Sequence, residues 1–355
     1  MARRRRKTWL AGLFVLVVSV GGGVTAADFF RFLHSPVNLD PDAELVFMID
    51  PGTPVRRIAE RLAARDVIDR PLYFRATARF TGDARRIQAG EYVLEPGTTP
   101  YRMLEKFVRG DVKQYRLAVI PGWTFDEVLA ALEKHDAIAH TLEGLSPEEI
   151  MAELGYPEQH PEGRFFPDTY QFPRGRKDRE LLARAYERME KVLAEEWKDR
   201  TEGLPLESPY EALILASIVE RETGVPEERA RIAGVFVERL ERGMRLQTDP
   251  TVIYGMGDEY EGDIRYRDLR EDTPYNTYTR SGLTPTPIAM PSRAAIHAAL
   301  HPDRRGDLYF VSTGDGRHVF SETLEEHNKA VVKYQLDGDA SRLRGNNQGD
   351  GAGDE

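Results

Sequence analysis

The chain contains no cysteine among its 355 residues. This absence excludes disulfide bridges, thiolate catalysis and zinc sites built on cysteine ligands. It leaves the compartment open, although a chain without thiols suits an oxidising one. The sequence also lacks a Gly-X-Ser-X-Gly nucleophile elbow and a glycine-rich phosphate loop. Serine-hydrolase and nucleotide-binding chemistry are therefore disfavoured.

The body of the chain also lacks an excess of basic residues. The formal net charge is −10, and the five consecutive basic residues at positions 3–7 mask a stronger acidity, so the remainder carries about −15. Because phosphate binding needs a basic surface, the acidic body argues against nucleic acid as a partner.

Evidence for a metal site is weak as well. His297 and His301 lie at i and i+4 on a predicted helix, which is a usable ligand spacing. The residues between them are Ala-Ala-Leu, so the glutamate of a zinc protease motif is absent, and no third ligand is evident nearby. The sequence predicts no metal and no cofactor.

What the sequence does contain begins with an apolar segment. Residues 8–27 carry no charged side chain and are long enough to span a bilayer as a helix. The basic tail, residues 1–7, is expected to stay in the cytoplasm, which places everything after the segment outside. A cleaved signal peptide is the alternative, but the apolar stretch is longer than a usual signal core. We expect a single-pass anchor in the cytoplasmic (inner) membrane, with the rest of the chain extracytoplasmic.

After a connector, residues 28–44, one pattern occurs three times. Pro-Gly pairs beginning at Pro51, Pro96 and Pro121 each follow a strand-like run and precede an amphipathic helix. The threonine that follows each pair is expected to be the N-cap of the helix. The pattern predicts a small α+β module over residues 45–115, which resembles the LysM-like folds that bind cell-wall glycan.

A helix over 208–224 is the most informative element. Its N-terminal signals are Ser208 and a capping-box Glu211, and Gly224 is expected to end it. The segment between is apolar, which predicts a core helix, and it ends in Glu220. A carboxyl group on an apolar face is typical of a general acid. Taken alone, however, the pattern favours a structural role, such as an ion pair with Arg221 or Arg229.

Two downstream segments, 244–257 and 274–285, are rich in hydrogen-bonding side chains and tyrosine. Sugar hydroxyls need donors and acceptors, and sugar rings stack on aromatic faces, so these loops suit a carbohydrate groove. Turn chemistry alone could also place asparagine and threonine there. The candidate substrate contacts are Gln247, Thr248, Asp249, Asn276 and Tyr278. A glycine- and aspartate-rich tail, residues 336–355, is predicted to be disordered.

Several motifs together resemble one family, the YceG-like endolytic murein transglycosylases. They are segments 166–170, 216–223, 245–255, 275–278 and 326–328, and they occur in the expected order. The resemblance runs from the membrane segment to about Tyr334. It implies an α+β catalytic domain, which we assign to residues 116–335. The acidic tail lies outside it.

The resemblance also implies a reaction. The enzyme would cut the β-1,4 bond between N-acetylmuramic acid and N-acetylglucosamine within glycan strands and leave 1,6-anhydro ends. It would place the catalytic glutamate on Glu220, acting as acid and then as base. Glu222 is the rival; it lies about 200° around the helix, so both cannot face one cleft. Glu222, Asp168, Tyr170 and Asn328 are expected to support the site.

The implied partners are peptidoglycan strands, with peptidoglycan synthases as further partners in terminating nascent strands. Two alternatives remain open from the sequence. One is a membrane scaffold that binds the wall without catalysis. The other is a muramidase in which Asp249 or Asp168 supplies a second carboxylate.

Overall fold

The computed structural model describes residues 25–336 and 338–342. The chain divides into two compact units. One comprises residues 1–115 and 171–175, and the other comprises residues 116–170 and 176–355. Neither unit is one continuous segment of chain. The elements combine helices with short, mainly antiparallel sheets, and this confirms the predicted α+β class.

Most of the predicted membrane segment and most of the predicted disordered tail lie outside the described residues. Within the described part, no helix combines the length and apolarity needed to cross a bilayer.

The first unit packs helices onto a two-stranded sheet. Residues 25–34 form helix α1. Strands β1 (Leu45–Ile49) and β2 (Gly90–Leu94) pair antiparallel, with Leu45 opposite Leu94. The helices are α2 (Val55–Ala63), α3 (Pro71–Phe80) and α4 (Pro100–Arg109). Apolar residues of α2 and α4, including Ile58 and Phe107, are fully buried with Phe47 of β1, so amphipathic spacing builds this core.

The threefold strand–turn–helix pattern is confirmed, but its capping is not uniform. Gly52, Gly97 and Gly122 have φ of 76°, 82° and 85°, a left-handed conformation that costs glycine little, so the same turn recurs. Thr124 caps its helix through a complete capping box, as predicted. In the second copy the cap is Thr99, one residue later than expected, and α2 begins after Pro54 without a side-chain cap.

The second unit holds most of the helices. They are α5 (Phe125–Glu133), α6 (Pro147–Leu154), α7 (Asp178–Lys198), α8 (Pro209–Glu222), α9 (Arg229–Glu241), α10 (Asp249–Met256), α11 (Arg293–Leu300) and α12 (Leu324–Tyr334). Strands β7 (Tyr309–Ser312) and β8 (His318–Ser321) pair antiparallel as a hairpin. Strands β4 (Ile138–Ala139) and β6 (Arg176–Lys177) also lie in this unit and pair in parallel. Strands β3 (Gln114–Ala118) and β5 (Thr169–Pro173) each have residues in both units.

Helix α8 is the centre of this unit. All residues from Ala212 to Val219 are buried, which confirms the predicted core helix. The one polar residue among them, Ser217, donates to the Ile214 carbonyl at 2.7 Å and accepts from the Ile288 amide at 2.9 Å. A buried hydroxyl is therefore satisfied and ties α8 to a distant loop.

Both ends of α8 differ in detail from the prediction. The Ser208 side chain accepts from the Glu211 amide as expected, but the Glu211 carboxylate accepts from the Glu207 amide, so the capping box is not closed. The helix ends at Glu222 because Thr223 turns to an extended conformation, with φ −143° and ψ 135°. No left-handed glycine stops it, and this early stop leaves Glu222 as the last helical residue.

Candidate active site

A cleft of about 860 Å³ opens in the second unit. Its walls come from the end of α8, from α9, from the segment that leads into α10, from the β7–β8 hairpin and from α12. The candidate site residues on these walls are Glu222, Gln247, Asp249, Tyr278 and Asn328. The structure therefore brings together side chains that lie more than one hundred positions apart in sequence.

Glu222, at the C-terminal end of α8, is one of two acids that line this cleft. Burial raises the pKa of its carboxyl to about 7, and the neighbouring charge of Asp249 adds to the rise. Two contacts oppose the shift: the Thr248 hydroxyl donates to Oε1, and the positive charge of Arg239 lies nearby. A carboxyl that is partly protonated near neutral pH can deliver a proton to a substrate in the cleft.

Asp249 supplies a second carboxylate on the same cleft. The Tyr278 hydroxyl donates to its Oδ1 at 2.6 Å. Burial and the neighbouring Asp249 raise the pKa of this phenol, so Tyr278 stays a donor at neutral pH. The pair presents one acceptor and one aromatic side chain to the cleft, as expected for substrate contacts.

Two of the predicted substrate contacts lie beneath the cleft instead. Thr248 is only 2% exposed, and its hydroxyl is committed to Glu222. Asn276 is 1% exposed; its amide nitrogen donates to the carbonyls of Asp268, Leu269 and Glu271, and its oxygen accepts from the Tyr278 amide. The geometry gives both residues a positioning role, because their polar atoms are already bonded to protein groups.

The Gln247 loop is held in an unusual conformation. Gln247 has φ 50°, which few residues other than glycine adopt and which costs on the order of 1–3 kcal/mol. Its amide donates to the Thr277 carbonyl at 3.2 Å, and the next amide, of Thr248, donates to the Thr277 hydroxyl at 3.1 Å. These bonds join the two predicted polar loops and fix the turn that places Gln247 in the cleft.

Arg239, which the sequence analysis did not select, supports this loop from below. It is 6% exposed and donates to the backbone carbonyls of Leu308, Arg245 and Leu246, and to Oε1 of Gln247 at 3.3 Å. One cation thus joins Leu308, the residue before β7, to the Gln247 loop. Its position three residues after the buried Phe236, on the same face of α9, was the available signal.

Glu220 lies outside the cleft lining and is bound by other helices. The Ser292 amide donates to its Oε2 at 2.9 Å, the Ser292 hydroxyl donates to the same oxygen, and Nη2 of Arg229 lies 3.6 Å from Oε1. Its side chain is 6% exposed. Ser292 is also the N-cap of α11, so this carboxylate sits at a helix N-terminus, where negative charge is stabilised. The ion pair with Arg229, considered from the sequence, is present.

Three supporting residues have different surroundings. Asn328 lines the cleft from α12. Asp168 pairs with Arg188 and accepts from the Thr169 amide, and it does not line the cleft. Tyr170 is 3% exposed and donates to the Phe166 carbonyl at 2.6 Å, so its hydroxyl has a structural partner.

The histidine pair has a neighbour that the sequence did not reveal. Nδ1 of His297 lies 2.8 Å from Oε2 of Glu196, and the ligand atoms of Glu196, His297 and His301 lie within 4.8 Å of one another. A third potential ligand is therefore present, contrary to the sequence argument. Arg293 occupies the other carboxylate oxygen at 2.7 Å. These residues lie on α7 and at the C-terminal end of α11, away from the cleft lining.

The chain is similar to known proteins in both sequence and structure. The chain is 33% identical over 321 residues to the endolytic murein transglycosylase of Bacillus subtilis, covering 86% of this chain and 88% of that protein. It is 25% identical to the endolytic murein transglycosylase of Streptococcus pneumoniae, covering 91% of this chain and 64% of that longer protein. A crystal structure of a yceG-like protein from Listeria monocytogenes matches with a TM-score of 0.52 and 29% identity, over 81% of this chain and 99% of that one.

A profile of the YceG-like family matches residues 47–333, which is most of the chain. The match includes every residue that lines the cleft apart from Gln335. Together with the relative from B. subtilis, it establishes that this chain belongs to the YceG-like family.

Proposed function

We propose that this protein is a peptidoglycan lytic transglycosylase and that Glu222 is its general acid. One observation carries the assignment to Glu222: it is a carboxyl with a pKa near 7 on the wall of the cleft. The names of the relatives support the substrate, since both curated proteins are called endolytic murein transglycosylases. The sequence favoured Glu220, but its contacts with Ser292 and Arg229 suit a structural carboxylate better.

The proposed reaction needs one carboxyl. Protonated Glu222 gives its proton to the glycosidic oxygen between N-acetylmuramic acid and N-acetylglucosamine, and that bond breaks. The ionised carboxylate then accepts the proton of the muramyl C6 hydroxyl as that oxygen bonds to C1. The product is a 1,6-anhydro ring, no water is consumed, and Glu222 ends in its starting state.

Asp249 favours one competing function. It is a second carboxylate on the same cleft, and two-carboxylate glycosidases use such a pair to activate water or to form a covalent intermediate. Asp168, the other candidate from the sequence, is paired with Arg188 outside the cleft lining. The muramidase alternative therefore narrows to Asp249.

Product masses separate the two reactions. We expect digests of purified peptidoglycan to contain 1,6-anhydro-muramyl ends. Products heavier by one water would contradict the transglycosylase proposal and support a hydrolase that uses Asp249. A digest by a muramidase of known specificity is the matched reference, because it yields the hydrated ends from the same substrate.

The activity is expected to fall as pH rises through about 7. Only protonated Glu222 can donate, and burial raises its pKa to about 7, so the competent fraction decreases above that value. Initial rates between pH 5 and 9 would measure this decrease, the alkaline limb of the pH–rate profile. Glu162 is the control, because burial also raises its pKa to about 7 while it binds Phe125 and Tyr254 away from the cleft lining. If Glu162→Gln removed the limb, the assignment to Glu222 would be wrong.

We also propose a cellular location and a role for the protein. We place the protein on the outer side of the cytoplasmic membrane, held by residues 8–27, with the first unit contacting cell-wall glycan. Cutting within strands there would terminate nascent glycan made by synthases. The apolar segment and the basic residues before it support this placement.

A further inference from the structure

The lining of the cleft carries more arginines than acids, although the protein has a net charge of −10. Arg239, Arg245 and Arg270 all line the cleft. The acids that line it are Glu222 and Asp249, and the raised pKa of Glu222 reduces its negative charge near neutral pH. The cleft therefore favours an anionic ligand more than the rest of the surface does.

Two of these arginines lack an acidic partner within the described residues. Arg245 donates to the Tyr278 carbonyl at 3.1 Å. Arg270 stacks on Tyr266, with 4.2 Å between its guanidinium carbon and the ring centroid, and donates to that hydroxyl at 2.5 Å. Elsewhere in the unit, exposed arginines such as Arg280 are paired with carboxylates, at 2.8 Å in that case. Both guanidinium groups are exposed and keep donors available for a ligand.

Hydrogen bonds connect Arg245 and the segment that carries Arg270 to Tyr278, which lines the same cleft as Glu222. Arg245 bonds to the backbone of Tyr278, whose hydroxyl bonds to Asp249. Asn276 bonds to the carbonyls of the 268–271 segment, which carries Arg270, and also holds the Tyr278 amide. Both arginines are thus joined to Tyr278 through short chains of hydrogen bonds. The buried amide of Asn276 has its role here, fixing a cationic loop against the cleft.

We propose that Arg245 and Arg270 form a subsite for carboxylates carried by the lactyl arm of muramic acid. The inference rests on the proposed function, and it names the part of the substrate that the cleft selects. The sugar backbone of a glycan strand is uncharged, so it offers no negative charge to pair with Arg245 and Arg270. Each muramic acid carries a lactyl carboxyl, either free or extended by a stem peptide with its own carboxylates, and arginine pairs well with such groups.

Binding to a catalytically inactive protein tests the subsite separately from the reaction. Full-length Glu222→Gln protein would be titrated with three probes: uncross-linked strands bearing stem peptides, strands stripped of peptide by an amidase, and neutral chito-oligosaccharides of similar length. We expect tighter binding to the anionic strands than to the neutral oligosaccharides, with a difference that shrinks as salt increases. Peptide-bearing and stripped strands distinguish which carboxylate is bound.

Substitutions localise the effect. Adding Arg245→Gln or Arg270→Gln to the inactive protein should weaken binding of anionic strands by about fivefold each, the scale of partly exposed ion pairs, and leave binding of neutral oligosaccharides unchanged. Arg305→Gln is the matched control, since this exposed arginine pairs with Asp303 at 2.7 Å outside the cleft lining. Circular dichroism would verify that each variant is folded.

Equal affinity for charged and neutral glycans, or variants that weaken both alike, would overturn the subsite. Failure of the proposed function looks different, because the wild-type protein would then leave glycan strands uncut in the product assay whatever the binding experiment shows. Binding that is selective for anionic strands and lost in the arginine variants supports the subsite in either case.

Discussion

Glu222→Gln is expected to lower the initial rate of peptidoglycan cleavage by about a thousandfold, a typical contribution of a general acid. Glutamine keeps the size of the side chain and an oxygen that can accept from the Thr248 hydroxyl, but it cannot transfer a proton. The fold should persist. Because burial disfavours the ionised carboxylate, removing this ionisable group should raise the free energy of unfolding above pH 7.

The sign of that stability change follows from the direction of the pKa shift. Folded Glu222 binds a proton more tightly than the unfolded chain does, so its cost to stability appears as pH rises from about 4.5 towards 7. The difference between variant and wild type should therefore be small at pH 4.5 and larger at pH 8. Urea unfolding at the two pH values would measure it.

Glu220→Gln is the matched comparison on the same helix. It should retain cleavage activity and lose stability, because the carboxylate at the N-terminus of α11 and its pairing with Arg229 are removed. Glu222→Gln is thus expected to lose activity without losing stability, and Glu220→Gln is expected to do the reverse. An inactive, fully stable Glu220→Gln protein beside an active Glu222→Gln protein would restore the assignment that the sequence favoured.

Arg239→Met should lower the free energy of unfolding by about 1–3 kcal/mol, the scale for buried acceptors that lose their hydrogen-bond donor. Methionine fills similar volume but leaves the carbonyls of Leu308 and Leu246 without the donor that they have now. The hairpin and the Gln247 loop would lose their shared anchor. Denaturant unfolding at fixed pH would give the free-energy difference.

Arg239→Met should also change the pH dependence of the reaction. The positive charge of Arg239 lowers the pKa of Glu222, so its removal should move the alkaline limb of the rate profile to higher pH. Arg239→Lys is the informative control, because lysine keeps the positive charge but lacks the planar guanidinium group and its several donors. It should preserve the limb and still lose stability. An unchanged limb in Arg239→Met would show that the two groups are not coupled.

Local structure followed closely from sequence wherever short-range chemistry decides it. The apolar run and Ser208 were enough to predict α8 as a buried helix, and the strand-like runs before the first two Pro-Gly pairs predicted β1 and β2. The capping box of α12 is equally local, because Thr323 and Glu326 are only three residues apart. The polar loops around Gln247 and Tyr278 were also identified, and both residues do line the cleft.

Long-range packing decided what those loops do. Nothing near Asn276 in sequence distinguishes an amide that faces a sugar from one that holds three carbonyls. The sequence around Arg239 does not show that the Leu308 carbonyl, almost seventy positions later, accepts from its guanidinium group together with the nearer Arg245 and Leu246 carbonyls. Burial of a polar group is favourable only when partners surround it, and tertiary packing decides which partners come within reach.

The sequence by itself determined that α8 is a core helix ending in two glutamates on opposite faces, since helical geometry separates Glu220 and Glu222 by about 200°. Only the tertiary structure decided which face meets the cleft. Every side of α8 is buried up to Val219, so no polar stripe marks the open side. The N-terminus of α11 stabilises Glu220, whereas Glu222 lies on the cleft beside Asp249, where desolvation raises its pKa.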